Sequence, residues 1–216
     1  GDPMTLRLNG STSGYTEIDA PAVAGSNTLV LPTGNGTNGQ VLTTNGSGSL
    51  SWSTVTSSKI LQVVSAIKTD TASTASTTAS VITGLTVTLT PANSSNTILL
   101  MASISASYDS NDWGLGFYFG KNGSVITAAI GDAASNRPRQ TSVFIPGDGI
   151  SGTNIMSAIP MMYRDTAGGV SAITYSVMWN NSTTLTGYLN RMVSDRDTTG
   201  YDPRCISSLI AMEVAA

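Results

Sequence analysis

Two loops in the 216-residue sequence bring pairs of carboxylates close together: Asp109-Ser110-Asn111-Asp112 and Asp195-Arg196-Asp197. Oxygen-rich pairs of this kind can hold a calcium ion, or divide the acid and base work of glycoside cleavage. The first loop lacks the glycine and the distant glutamate of an EF-hand, and Arg196 can neutralise its own neighbours. Asp109, Asp112, Asp195 and Asp197 are therefore weak metal candidates. Asx turns that close strand ends are the plainer reading, and no metal or other cofactor is expected. Gly34-Asn35-Gly36-Thr37-Asn38-Gly39 matches the spacing of a dinucleotide-binding loop. A pyrophosphate needs a helix N-terminus directly afterwards, whereas Gln40-Val41-Leu42-Thr43-Thr44 reads as a strand, so nucleotide binding is not expected.

The absence of histidine excludes more than any of these motifs suggests. It removes Ser-His-Asp and Cys-His catalysis, HExxH zinc sites and imidazole acid–base work near neutral pH. The single cysteine, Cys205, cannot form an intrachain disulfide or a cysteine-based zinc site. It reads as a buried or half-buried free thiol. An enzyme is not expected, and a glycosidase using the aspartate pairs is the remote alternative.

Side chains suited to binding are easier to find. Tyr108, Trp113, Tyr188 and Tyr201 flank loops that also carry Asn and Asp. Aromatic faces beside hydrogen-bonding groups suit sugars, whose apolar CH patches are rimmed by hydroxyls; core or interface packing is the competing fate. Arg137-Pro138-Arg139 is the one local basic cluster. It could meet an anionic glycan or a neighbouring subunit's carboxylates, or lie solvated in a loop. Asn181-Ser182-Thr183 matches a glycosylation sequon, a compositional accident in so hydroxyl-rich a chain.

The elements that must position these residues are strands. Ser and Thr occupy 60 of 216 positions, and only 11% of residues are charged, against about 25% in an ordinary soluble domain. With 22 Gly, this composition favours strands and turns over long helices. Ten basic residues spread along a chain of net charge −3 argue against a nucleic-acid surface. No run of 18 apolar residues suggests membrane insertion, and no secretory leader is apparent.

The organisation changes along the chain. Gly1-Asp2-Pro3 before Met4 reads as a cleavage scar, which makes Met4 the expected natural start of a whole gene product. Within residues 4–52, short apolar runs (Leu6/Leu8, Tyr15/Ile18, Leu29–Leu31, Val41/Leu42, Leu50/Trp52) alternate with turn clusters. A segment this small and poor in large apolar residues is expected to order only against copies of itself or a neighbouring domain; a flexible linker is the alternative. Residues 53–58 read as a linker.

From residue 59 onwards, longer alternating strands follow at 85–90, 98–107, 114–120 and 206–214. Further strands are expected at 60–68, 124–130, 139–145, 154–163, 170–179 and 185–190. About ten such strands predict an all-β fold, an antiparallel β-sandwich over 59–216. Several strands are not polar on their second face. Leu99, Met101, Met156, Met162, Tyr175, Val177, Trp179 and Tyr188 could all meet a neighbouring subunit, since exposed apolar surface of that extent is unusual on a monomer. The alternative is a shifted register that makes some of them core.

The chain resembles small tail-fibre-type proteins of marine bacteriophages. The resemblance is carried by Met4-Thr5-Leu6-Arg7-Leu8-Asn9-Gly10-Ser11-Thr12-Ser13-Gly14-Tyr15 and by Asp19-Ala20-Pro21-Ala22-Val23-Ala24-Gly25-Ser26-Asn27-Thr28-Leu29. Gly39 to Trp52 is similar to a short module of phage fibres and adhesins. Ile60-Leu61-Gln62-Val63-Val64, Lys68-Thr69-Asp70-Thr71, Ile82-Thr83-Gly84-Leu85, Asp132 to Arg137, Asn190-Arg191 with Ser194-Asp195, and Ile206 to Val214 extend it over nearly the whole chain.

The resemblance implies a homotrimer with a jelly-roll head like those of the tumour necrosis factor and complement globular-head class. It implies a place on the virion surface, in a tail or spike, after synthesis in the bacterial cytoplasm. The expected partners are further copies of the chain, other virion proteins through the N-terminal segment, and a host-surface glycan or protein. Heads of this class differ in receptor, so no binding residue carries over, and fold alone does not fix function. A capsid decoration or a tail or neck component is the alternative.

Overall fold

A computed structural model describes residues 6–23, 25–55, 59–109, 113–146, 155–197 and 200–216. It is all-β. The one helical element among these residues is a 3₁₀ turn at Thr127–Ala129. The chain divides into two compact units, one within residues 1–57 and the other within 58–216.

The first unit holds two hairpins. β1 (Leu6–Asn9) pairs antiparallel with β2 (Tyr15–Ile18), and β3 (Gln40–Thr44) with β4 (Leu50–Thr54). Ser53 and Thr54, expected in the linker, are therefore the end of β4; residues 56–58 and the scar lie outside the described residues. Asn45 makes the β3–β4 turn by accepting hydrogen bonds from the Ser47 and Ser49 amides at 2.9 and 3.1 Å, an Asx turn followed by glycines at positive φ. The Gly34–Gly39 loop lies against Trp52. The indole Nε1 donates to the Gly34 carbonyl at 2.6 Å, and Gly36, at φ +70°, lies where a Cβ would come within 2.8 Å of the ring. Glycine is needed there to let backbone approach an aromatic face. Leu6, Leu8, Tyr15 and Ile18 all remain exposed on the first hairpin.

The second unit is a sandwich of two antiparallel sheets. One contains β5 (Ile60–Lys68), β6 (Ala72–Thr74), β8 (Thr97–Tyr108), β12 (Ser157–Thr166), β14 (Gly187–Leu189) and β15 (Ser207–Val214). β12 runs along one edge of β8, while β15 and β14 share the other end to end. β5 and β6 lie beyond them. The other sheet contains β7 (Ser80–Leu89), β13 (Ile173–Asn181), β9 (Leu115–Lys121), β10 (Ser124–Val125) and β11 (Ser142–Phe144). Here β10 and β11 share one edge of β9. The strand expected at 124–130 is thus only two residues long before the 3₁₀ turn.

Between the sheets, Ile98, Leu100, Ile104 and Leu209 from one side join Leu85, Phe117, Phe119, Tyr175 and Val177 from the other in one buried cluster. Tyr175, Val177 and Trp179, expected at a subunit interface, are core. β13 is an inner strand whose alternate residues Ser176 and Met178 are also covered, so its sequence never shows a polar face. Tyr118 closes part of that outer side; its hydroxyl donates to Asn180 Oδ1 at 2.8 Å, and Gln140 fills the space above Gly116.

Polar pins fix the end of the sandwich where β5 begins and β15 finishes. Glu213 is fully buried. Its carboxylate accepts from Gln62 Nε2 at 2.5 Å, the Ala92 amide at 2.7 Å and Asn96 Nδ2 at 2.6 Å. Burial alone would raise its pKa, but these donors outweigh it and hold the carboxyl below its ordinary value. Lys121 of β9 reaches Asp165 of β12 at 2.7 Å, and the buried Tyr175 hydroxyl donates to the same oxygen at 2.7 Å. Burial, then that carboxylate, pushes the Tyr175 phenol far up.

Two outcomes are expected in thermal or denaturant melts. Phe117→Ala empties the middle of the core and should cost about 3–5 kcal/mol. Glu213→Ala leaves three donors unmatched and should lower the melting temperature at pH 7. Because the Glu213 carboxyl is depressed in the folded state, its contribution is complete above the ordinary carboxylate range. It is lost as pH falls through the folded value, so the gap between wild type and Glu213→Ala should close in acid.

Candidate functional site

Antiparallel pairing gives the sandwich two distinct ends. The Ala215 amide donates to the Lys59 carbonyl at 2.7 Å, which marks the end where the sandwich chain enters and leaves. The opposite end carries the described residues between β6 and β7, β8 and β9, β11 and β12, β13 and β14, and β14 and β15. The connections after β6, β8 and β13 are tied together by backbone hydrogen bonds from Asp109 to Thr186 (3.2 Å), Ser182 to Gly114 (3.1 Å) and Asn181 to Ser76 (2.8 Å).

The loop between β14 and β15 is the most elaborately held. Asn190 is its base. It is buried at φ +59°, and its side-chain amide donates to the Lys68 and Asp70 carbonyls at 2.8 and 2.9 Å. Its Oδ1 accepts from Ser207 Oγ at 2.7 Å. The Cys205 amide donates to the Asn190 carbonyl at 3.1 Å and closes the loop on itself. Asp195 then bridges Arg191 (3.3 Å) and Arg204 (2.6 Å), and the Arg191 guanidinium lies 4.0 Å from the centre of the Tyr188 ring.

A second brace runs through Asp202, whose side chain is fully covered. It accepts from the Arg196 amide at 2.5 Å, Arg196 Nε at 2.9 Å and Ser194 Oγ at 2.8 Å. The Arg196 hydrogen bond is the largest cause holding the Asp202 carboxyl far below the usual carboxylate range. The Arg196 guanidinium in turn lies 5.3 Å from the Tyr201 ring centre. Tyr201 itself is 67% exposed. Beside it is a depression of about 370 Å³ lined by Met192, Arg196, Gly200, Tyr201, Asp202 and Pro203.

These positions sort the sequence-derived candidates. Tyr201 and Trp113 (52% exposed) present aromatic surface at the loop end. Tyr188 is half-buried under Arg191. Tyr108, expected to touch a receptor, is wholly buried; it ends β8 on the core-facing side, and its hydroxyl lies 3.1 Å from Thr183 Oγ1. Arg137 and Arg139 are exposed, with Arg139 Nε donating to the Gly131 carbonyl at 2.6 Å, on the 131–143 loop rather than beside Tyr201. Asp195 is spent on two arginines, Asp197 and Asp109 are exposed, and Asp112 lies outside the described residues. Among the described residues no three His, Cys, Asp or Glu side chains converge as a metal-binding set. Sequence reasoning missed Met192, Asp202 and Pro203, and the pairing of Asp202 with Arg196 six residues earlier had no motif to reveal it.

A second surface lies on the outer face of the larger sheet. Register aligns Val63, Met212 and Leu99 in one row, and Ile210, Met101 and Met162 in the next. Val63 is 55% and Met162 67% exposed; Leu99, Met101, Ile210 and Met212 are half-covered. Met156, also half-covered, precedes β12.

No family model matches the chain, and no curated protein matches it. Asp202→Asn should loosen the loop without unfolding the sandwich. Faster amide hydrogen exchange confined to 190–206 is the expected readout. In the wild type the loop should stay braced well below the ordinary carboxylate range, because the depressed Asp202 must protonate before the brace is lost.

Proposed function

We propose that the chain is a non-enzymatic structural protein of a bacteriophage particle, a trimeric tail fibre or spike. In this reading the sandwich is a head that binds a host-surface receptor, above all a glycan. The observation that carries it is the apolar outer face of the β5–β15–β8–β12 sheet. Six large aliphatic or thioether side chains lie in adjacent rows, Val63 and Met162 exposed and the other four only half-covered, and contiguous apolar surface on this scale marks an interaction site. Copies of the same chain are the occupants. The rows bear no charge except Arg164 at the margin, opposite Leu99, so the surface suits another apolar face rather than a charged partner.

The strand order supports a jelly roll. Counting β5/β6 as the first of eight positions and β15 as the last, one sheet runs first, eighth, third, sixth. The other runs second, seventh, fourth, fifth, with β10/β11 as the fifth. This is the interleaving of two Greek keys. The N-terminal hairpins fit the same reading. A two-stranded hairpin is marginal alone, and Leu6, Leu8, Tyr15 and Ile18 are available to neighbouring copies or other virion proteins. Three heads on one fibre, and several fibres on a particle, would convert weak single contacts into firm attachment.

Sedimentation should give three times the 22.2 kDa of one chain. Met101→Glu combined with Met162→Glu should yield monomers whose sandwich still melts cooperatively. Purified trimer should compete with phage for adsorption to host cells. A wild-type monomer at micromolar concentration would refute the trimer; adsorption unaffected by saturating protein would refute the receptor role and favour a capsid or neck component.

A further inference from the structure

We infer that the depression beside Tyr201 is a binding site for an uncharged saccharide unit, an assignment that rests on the reading of the sandwich as a receptor-binding head. The first support is the loop that builds it. The segment between β14 and β15 has no regular structure in its described residues, 190–197 and 200–206, and so long a connection is seldom tolerated in a compact domain unless the loop works or is disordered. Its described residues are held through their own bonds. Asn190 has its backbone and side-chain polar groups engaged at the base, and two arginine–aspartate braces hold the crown. Asn190, Asp195 and Asp202 all take positive φ, conformations that cost free energy in non-glycine residues and persist where surrounding contacts enforce them.

The second support is what the bracing presents. Tyr201 is among the most exposed aromatic side chains described, yet it is not a loose side chain, because the Arg196 guanidinium near its ring is locked to buried Asp202. A pre-positioned aromatic surface loses little entropy on binding. Met192, Pro203 and Gly200 add apolar floor, while Arg196 and the neighbouring Asp197 offer donors and acceptors at the rim. A volume of about 370 Å³ falls within the roughly 300–1,000 Å³ of small-ligand sites.

Charge selects the ligand class. Arg191, Arg196 and Arg204 are matched one for one by Asp195, Asp197 and Asp202, and Asp195 and Asp202 are already ion-paired. The loop therefore carries no net charge with which to draw an anionic or cationic group. Apolar CH faces on Tyr201 and hydroxyls at the Arg196 and Asp197 rim describe a neutral sugar. Arg137 and Arg139, on a different loop, would have served an acidic one.

The test uses the full-length protein on an array of neutral and acidic glycans, beside binding to host cells. Wild type should bind neutral glycans. Tyr201→Ala should weaken that binding at least tenfold while sedimentation and melting temperature stay unchanged. Tyr201→Phe, which keeps the ring, should stay within about threefold of wild type. A requirement for the ring but not the hydroxyl is not what a purely structural role would produce. Cell binding that survives Tyr201→Ala intact, or a preference for acidic glycans lost in Arg137→Ala/Arg139→Ala, would overturn this site and leave the receptor-binding head standing. Cell binding without any glycan binding would overturn the saccharide assignment alone. Wild type that binds neither glycans nor cells would overturn both.

Discussion

β8 must cover both of its faces, and much of the structure follows from that. Its residues Ile98, Leu100, Ala102 and Ile104 point into the sandwich, and Leu99 and Met101 point out of it. Burial of large aliphatic side chains contributes about 1.5–3 kcal/mol each, so neither face can be left in water without loss. The inner face is answered by β7, β9 and β13 across the core. The outer face is continued sideways by β15, β5 and β12, which extend the apolar rows instead of interrupting them.

The two ends of the sandwich divide the remaining work. At the entry end, Glu213, Asn96 and Gln62 fasten β5, the 90–96 turn and β15 together. Lys121, Asp165 and Tyr175 join one sheet to the other. At the far end the pins are different in kind: guanidinium groups matched to carboxylates, with Arg191 and Arg196 also lying near aromatic rings. The first set centres on the buried Glu213, Asn96 and Tyr175 and closes that end of the sandwich. The second is half in solvent and shapes a surface.

Alternation made most of the sandwich legible from the sequence. The longer strands carry their period openly, and β5, β8, β9 and β15 fall within a residue or so of their expected limits. β6 was invisible because Ala72-Ser73-Thr74 has no large apolar residue. The first half of β7 was hidden by Gly84, whose φ of +90° lets the strand bulge where the register to β13 slips. β13 misled in the other direction: Tyr175, Val177 and Trp179 sat opposite Ser176 and Met178, and a strand covered on both sides does not announce which face is the core. Of the candidate site, the exposed aromatics Tyr201 and Trp113 could be named in advance, since they flank turn-rich segments. Tyr108 could not be told from them, because its burial depends on pairing with β14 some 80 residues away. The arginine–aspartate braces depend on how a 17-residue loop folds back on itself, and spacing alone does not encode that.

Closure of that loop by the Cys205 amide on the Asn190 carbonyl has an evolutionary corollary. Once the two ends are fixed to each other and to β5 and β15, the segment between them contributes nothing to the sheet ladder. Lengthening a closed loop is inexpensive, about 0.6 kcal/mol for each doubling, and the core would not register the change. The stretch from Arg191 to Arg204 is thus built as an exchangeable cassette. Its contents can be rewritten while the scaffold beneath keeps the same registers.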